Sequence, residues 1–120
     1  MTFDEIFLWA MSLFIPFILF IIGAVFQKYP PKTISRSFGY RTRQSLRSQE
    51  TWNAAQELFG KYLFFLGFAL LIAVPATLYC FSSAFDPYIL LLIYIITESL
   101  LIVLPVLAVE RYLKLHFPEQ

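Results

Sequence analysis

The sequence predicts an all-α membrane protein with three transmembrane helices, the N-terminus outside, the C-terminus inside, and a cytoplasmic loop carrying a short amphipathic interfacial helix. Three observations lead there. Of 120 residues, 59% are hydrophobic and 14% charged, with a mean hydropathy of +0.70; soluble domains hold roughly 45–50% apolar and about 25% charged residues. Three apolar runs, at 6–27, 62–85 and 87–109, contain one charged residue between them, Glu98. The bases are also segregated, seven of nine falling between Lys28 and Lys61.

The first run is predicted to be a retained span at about 6–27. The opening Met1-Thr2-Phe3-Asp4-Glu5 has two acids and no base, the reverse of a signal-peptide n-region, and the run outlasts the roughly 7–15 residues of a signal h-region. It ends on Phe26-Gln27-Lys28-Tyr29-Pro30, with no small-x-small cleavage site. The later spans are placed at about 62–82 and 88–109, joined by a short turn into an antiparallel hairpin. Each run meets the ~20 residues needed to cross a hydrocarbon core. Pro16, Pro75 and Pro105 fall inside them, as transmembrane helices tolerate.

Direction follows from the bases. Lys28, Lys32, Arg36, Arg41, Arg43, Arg47 and Lys61 lie in the long loop, and Arg111 and Lys114 in the tail at 110–120. The positive-inside bias places both in the cytoplasm of a bacterial cell membrane.

The 28–61 loop is too long for a plain connection. Pro30 and Pro31 end the first helix, and a polar, basic stretch follows from Ser35 to Arg43 with Gly39 at its centre. From Gln49 a helix is expected, with Ser48 as N-cap and Glu50 in its first turn. Trp52, Ala55, Phe59 and Tyr62 make one apolar stripe, while Asn53, Gln56 and Glu57 lie off it. Such a helix would rest at headgroup level and turn into the bilayer near Gly60. Trp52 and Tyr40 are read as interfacial anchors.

Pro30-Pro31-Lys32, Ile34, Gly39-Tyr40-Arg41-Thr42, Ser45, Trp52, Ala55 and Gly60 together resemble the SdpI family of small bacterial membrane proteins. The resemblance covers about a third of the chain. It departs at Ser35, where family members often carry Asn, which offers more hydrogen bonds than Ser. The resemblance implies an immunity protein against a membrane-acting peptide toxin. It also implies a signalling role in which a transcriptional repressor is held at the membrane. The best-known member is larger, with further spans upstream. The family motif gives Arg41 a fixed structural or recognition role, by the planar fork contact that guanidinium makes with phosphate or carboxylate. Arg36, Arg43 and Arg47 are read as topology signals that also touch anionic lipid.

Glu98 is the one acid inside a span. Its insertion costs about 2.5–3.5 kcal/mol, and such groups usually face the bundle interior. It is expected as a protonated acid or a carboxylate reached by water, with Tyr94 as a hydrogen-bond donor one turn back. Two roles stand level: an interhelical hydrogen bond, or the centre of a small transporter or ion-coupled subunit. Gly67, Ala69, Ala73 and Ala76 give span two a small-residue face, suited to another span or a second copy, and Glu98 is expected near Ala69 and Ala73. Cys80 is read as a small packing residue, and His116 as an isolated tail residue.

No catalytic constellation, cofactor motif or metal-ligand spacing is present in the sequence, so neither an enzyme nor a cofactor is expected. The expected partners are membrane lipids, a peptide toxin, a cytoplasmic regulator recruited by the basic loop, and a second copy forming a homo-oligomer; no nucleic acid is expected.

Overall fold

The structure, a computed structural model, describes residues 2–34 and 38–118. Ser35, Arg36 and Ser37 lie outside the described residues, so the departure at Ser35 has no structural account. Four helices follow one another: α1 (Phe3–Lys28), α2 (Gln49–Phe81), α3 (Pro87–Leu101) and α4 (Val103–His116). The last two form one interrupted span, so three helical segments are long and apolar enough to cross a membrane. Among the described residues all regular structure is helical.

Helix ends follow local chemistry. α1 starts earlier than its apolar run because Thr2 and Glu5 form a capping box, each side chain bonding the other's backbone N–H at 3.3 Å, and this satisfies donors the first turn would leave open. Ser48 caps α2 as expected, reciprocally with Thr51. Asp86 caps α3 through Tyr88 N and Ile89 N at 2.9 and 3.3 Å, with Pro87 in the first turn, where its missing N–H costs nothing.

The expected interfacial helix is not a separate element. α2 runs unbroken through Gly60 for 33 residues, about 50 Å at 1.5 Å per residue, so its first turns project beyond the apolar stretch. Gly60 serves packing here. A Cβ on it would sit 2.6 Å from Phe26 Cβ, and one on Gly67 would sit 2.4 Å from Phe20 N. On the opposing helix, a Cβ on Gly23 would meet Phe64 N at 2.3 Å. α1 and α2 are therefore in backbone contact along much of their length, the close approach that small residues allow in membranes. Ala69, Ala73 and Ala76 point away from this contact and are exposed within the chain, as is Cys80. Of the predicted small-residue face, only Gly67 packs inside the bundle.

The third span is interrupted at Ile102. Pro105 explains it: proline has no N–H for the Leu101 carbonyl, and its ring crowds that carbonyl. α1 lies against both α2 and α3, while α4 lies against α2, so the third span passes from one neighbour to the other along its length. At the hairpin end Leu8, Val74, Leu78, Leu90 and Leu91 form a buried cluster, and Tyr88 Oη donates to Asp4 Oδ1 at 2.6 Å. At the loop end a second cluster joins Tyr40 and Ala55 to Val109 and Leu113.

Candidate functional site

The loop between α1 and α2 folds back as a cap on one end of the bundle. Its turn requires Gly39, whose φ of +103° lies where side chains are strained. A Cβ there would also stand 2.9 Å from Gln56 Oε1 and 3.2 Å from the Trp52 ring. The turn delivers Tyr40 to α2, where the Gln56 amide closes a ring with it. Gln56 Oε1 accepts from Tyr40 N and Gln56 Nε2 donates to Tyr40 O, both at 2.7 Å. The Tyr40 side chain continues inward against Phe59 and reaches α4, donating to Glu110 Oε1 at 2.6 Å. Gln44 Nε2 donates to the other Glu110 oxygen at 2.8 Å. Burial, and then the Glu110 carboxylate beside it, hold the Tyr40 hydroxyl well above the usual tyrosine range.

Thr42 and Ser45 build the next turn. Thr42 N donates to Ser45 Oγ at 2.8 Å and Ser45 N to Thr42 Oγ1 at 3.2 Å, while Ser45 Oγ also contacts the carbonyls of Tyr40 and Thr42. Trp52 is fully buried beneath the cap, its Nε1 donating to Pro31 O at 2.7 Å. Neither Trp52 nor Tyr40 is the exposed interfacial anchor read from sequence: both are core residues of the cap, because the loop supplies partners for their polar atoms. Gln49 Nε2 donates to Lys32 O at 2.6 Å, and an Arg47 guanidinium nitrogen donates to Phe117 O. Arg41 is exposed.

The cap thus ties both flanks of the loop to α2 and α4. Gln56 and Glu110 carry that connection, and the sequence reading did not single out either. Beside the cap, a cleft of about 430 Å³ opens where α1 ends and α2 begins. Phe26 and Pro31 line its apolar side, and Gln27, Gln49, Asn53 and Glu57 its polar side.

Glu98 faces the bundle interior with 1% exposure. Ala69 and Ala73, the face against which it was expected, are exposed, and Tyr94 does not serve it: the Tyr94 hydroxyl pairs with Thr77 Oγ1. Among the described residues no group of His, Cys, Asp and Glu could hold a metal ion.

The family model described as the SdpI/YfhL protein family matches residues 32–109. That span takes in the cap, α2, and the third span to the point where it meets the cap. The "Uncharacterized protein YfhL" of Bacillus subtilis (strain 168) is 34% identical over 74 residues, an alignment that takes in 47% of this chain and 67% of that protein. No solved structure matches. On the family match, the chain belongs to the SdpI/YfhL protein family.

Proposed function

We propose that this multi-pass membrane protein is a non-catalytic immunity factor of the SdpI type, protecting the membrane that holds it against a membrane-acting peptide toxin. The observation that carries the reading is where the family match falls: residues 32–109 take in the folded cap and the two spans that Tyr40 meets, at Gln56 on α2 and at Val109 on the third span. Gly39, Tyr40, Thr42, Ser45 and Trp52 of the resembling motif come together in one hydrogen-bonded element, the part of the chain suited to present a fixed surface. The loop end faces the cytoplasm in this proposal, since seven of nine bases lie in or beside the cap. Leu46→Cys and Ser83→Cys, each in a Cys80→Ala background, test the direction: an impermeant thiol reagent on intact cells should label only Ser83→Cys.

The functional test is toxin challenge. Sensitive cells making this chain should survive a membrane-acting peptide that kills cells without it, and Gly39→Ala at equal abundance should lose protection. Survival unchanged by the chain, across a panel of such peptides, contradicts the reading.

A second reading draws on the cleft. Its amide-rich wall suits the backbone of an extended peptide segment, so a soluble regulator held at the membrane would dock there. Asn53→Trp, which fills the cleft, should then abolish co-purification of the regulator while protection persists.

A further inference from the structure

Among the described residues, three buried side-chain polar atoms have no hydrogen-bond partner: Ser12 Oγ and both carboxylate oxygens of Glu98. They lie on α1 and α3, two helices that pack together. α1 and α3 begin at the same end, tied by Tyr88 and Asp4, and run in the same direction. Leu8 and Leu91 share the buried cluster near that end. Ser12 is four residues beyond Leu8 and Glu98 seven beyond Leu91, which puts them about 6 and about 10 Å deeper at 1.5 Å per residue. Both lie on the buried stripes: Leu8, Ser12, Pro16 and Leu19 on α1, and Leu91, Glu98, Pro105 and Val109 on the third span.

The prolines enlarge the polar inventory. Pro16 leaves the Ser12 carbonyl without its helical N–H donor, and Pro105 does the same to Leu101, one turn from Glu98. Ser12 thus brings two oxygens, Glu98 two and Leu101 one, with the Ser12 hydroxyl as the single donor among them. Fixed charge is absent from this depth. α1 has none between Glu5 and Lys28, and α2 none beyond Lys61. Glu110, three turns on in α4, is held by Tyr40 and Gln44. Tyr94, the remaining titratable neighbour on α3, is paired with Thr77. Buried acceptors short of donors, at a depth without fixed charge, are satisfied by one more hydrogen.

We infer that Glu98 and Ser12 form an intramembrane proton-binding site, in which Glu98 carries an exchangeable proton donated to an oxygen of Ser12. Hydronium gives its proton to the carboxylate, leaving the neutral acid and water; release is the reverse. The interruption at Ile102, one turn beyond Glu98, supplies the joint at which water reaches the carboxyl. The inference is independent of the protective role, and loss of either leaves the other standing.

Infrared difference spectroscopy of the full chain in phosphatidylcholine vesicles tests it. At neutral pH a protonated-carboxyl stretch should be present, should fall reversibly as pH is raised, and should vanish in Glu98→Gln. Glu98→Asp should retain a band at a different frequency, which assigns it even where Glu98→Gln folds poorly. Ser12→Ala should shift the band, because the acceptor changes. Absence of the band at neutral pH overturns the proposal, as does a band that persists unchanged until the protein unfolds. A band unmoved by Ser12→Ala removes the pairing, and one bleached by sodium ions at constant pH makes this a metal-cation site instead.

Discussion

The side-chain amide of Gln56 satisfies both backbone groups of Tyr40, accepting from its N–H and donating to its C=O at 2.7 Å each. Gln56 is fully buried, so water cannot replace it. Gln56→Ala should therefore strand the buried Tyr40 N–H and leave its C=O only the Ser45 hydroxyl at 3.2 Å, a loss of about 1–3 kcal/mol. Thermal unfolding in detergent should show a loss of that order, with Gln56→Glu keeping part of the stability because an acceptor remains for Tyr40 N–H. A melting curve unchanged in Gln56→Ala contradicts this account of the cap.

Gly39→Ala should open the cap without dismantling the spans. The substitution meets a positive φ and a crowded Cβ position together, a strain of about 1–3 kcal/mol. Limited proteolysis is expected to cut the variant between Lys32 and Arg47 while the fragments stay associated in the membrane. Resistance equal to the unmodified chain would show that the turn tolerates a side chain.

Two small-residue substitutions on α2 should differ sharply. Gly67→Ala forces apart backbones that a Cβ cannot separate without clash, whereas Ala69→Leu points outward from an exposed position. The first should lower thermal stability and membrane abundance, and the second should change neither in the single chain. Equal losses would make the Ala69, Ala73 and Ala76 face an interface between copies.

Tyr40→Phe removes a hydroxyl donated to a carboxylate, a contact worth about 1.5–3 kcal/mol when buried and less at this half-buried site. Its pH dependence has a definite sign. The folded-state value lies above the ordinary tyrosine value of about 10, so the stabilisation is fully present below that value and lost only as pH climbs through the folded one. In an alkaline titration followed by tyrosinate absorbance, Tyr40 should ionise above the ordinary tyrosine range. The early rise should have the same amplitude in Tyr40→Phe as in the unmodified chain; a smaller early rise in the variant would place Tyr40 among the ordinary phenols.

The apolar runs made the three spans legible, because lipid forces long charge-free helices and little else has that signature. The cap was legible only by resemblance. Its two anchors, Gln56 and Glu110, sit 16 and 70 residues from Tyr40, and apolar periodicity is blind to such polar pairings; on the helical wheel Gln56 simply reads as solvent-facing. Gly60 was misread for a physical reason as well. Glycine is a poor helix former in isolation, but packing against Phe26 compensates for it, and α2 continues. Ser12 gave no signal beyond a lone hydroxyl in an apolar run, and only the fold shows that it is buried without a partner, as Glu98 is.

The central claim is that the Gly39-Tyr40-Arg41-Thr42 motif is a folded cap locked onto α2 and α4, and amide hydrogen exchange in the membrane-embedded protein tests it most directly. The Tyr40 and Thr42 amides, bonded to Gln56 and Ser45, should exchange far more slowly than the same residues in an unstructured peptide. Gln56→Ala should release Tyr40 while the amides in the middle of α2 stay protected. Exchange at the free-peptide rate in the unmodified chain would show that the motif is a mobile linker, and the account of the cap would fall.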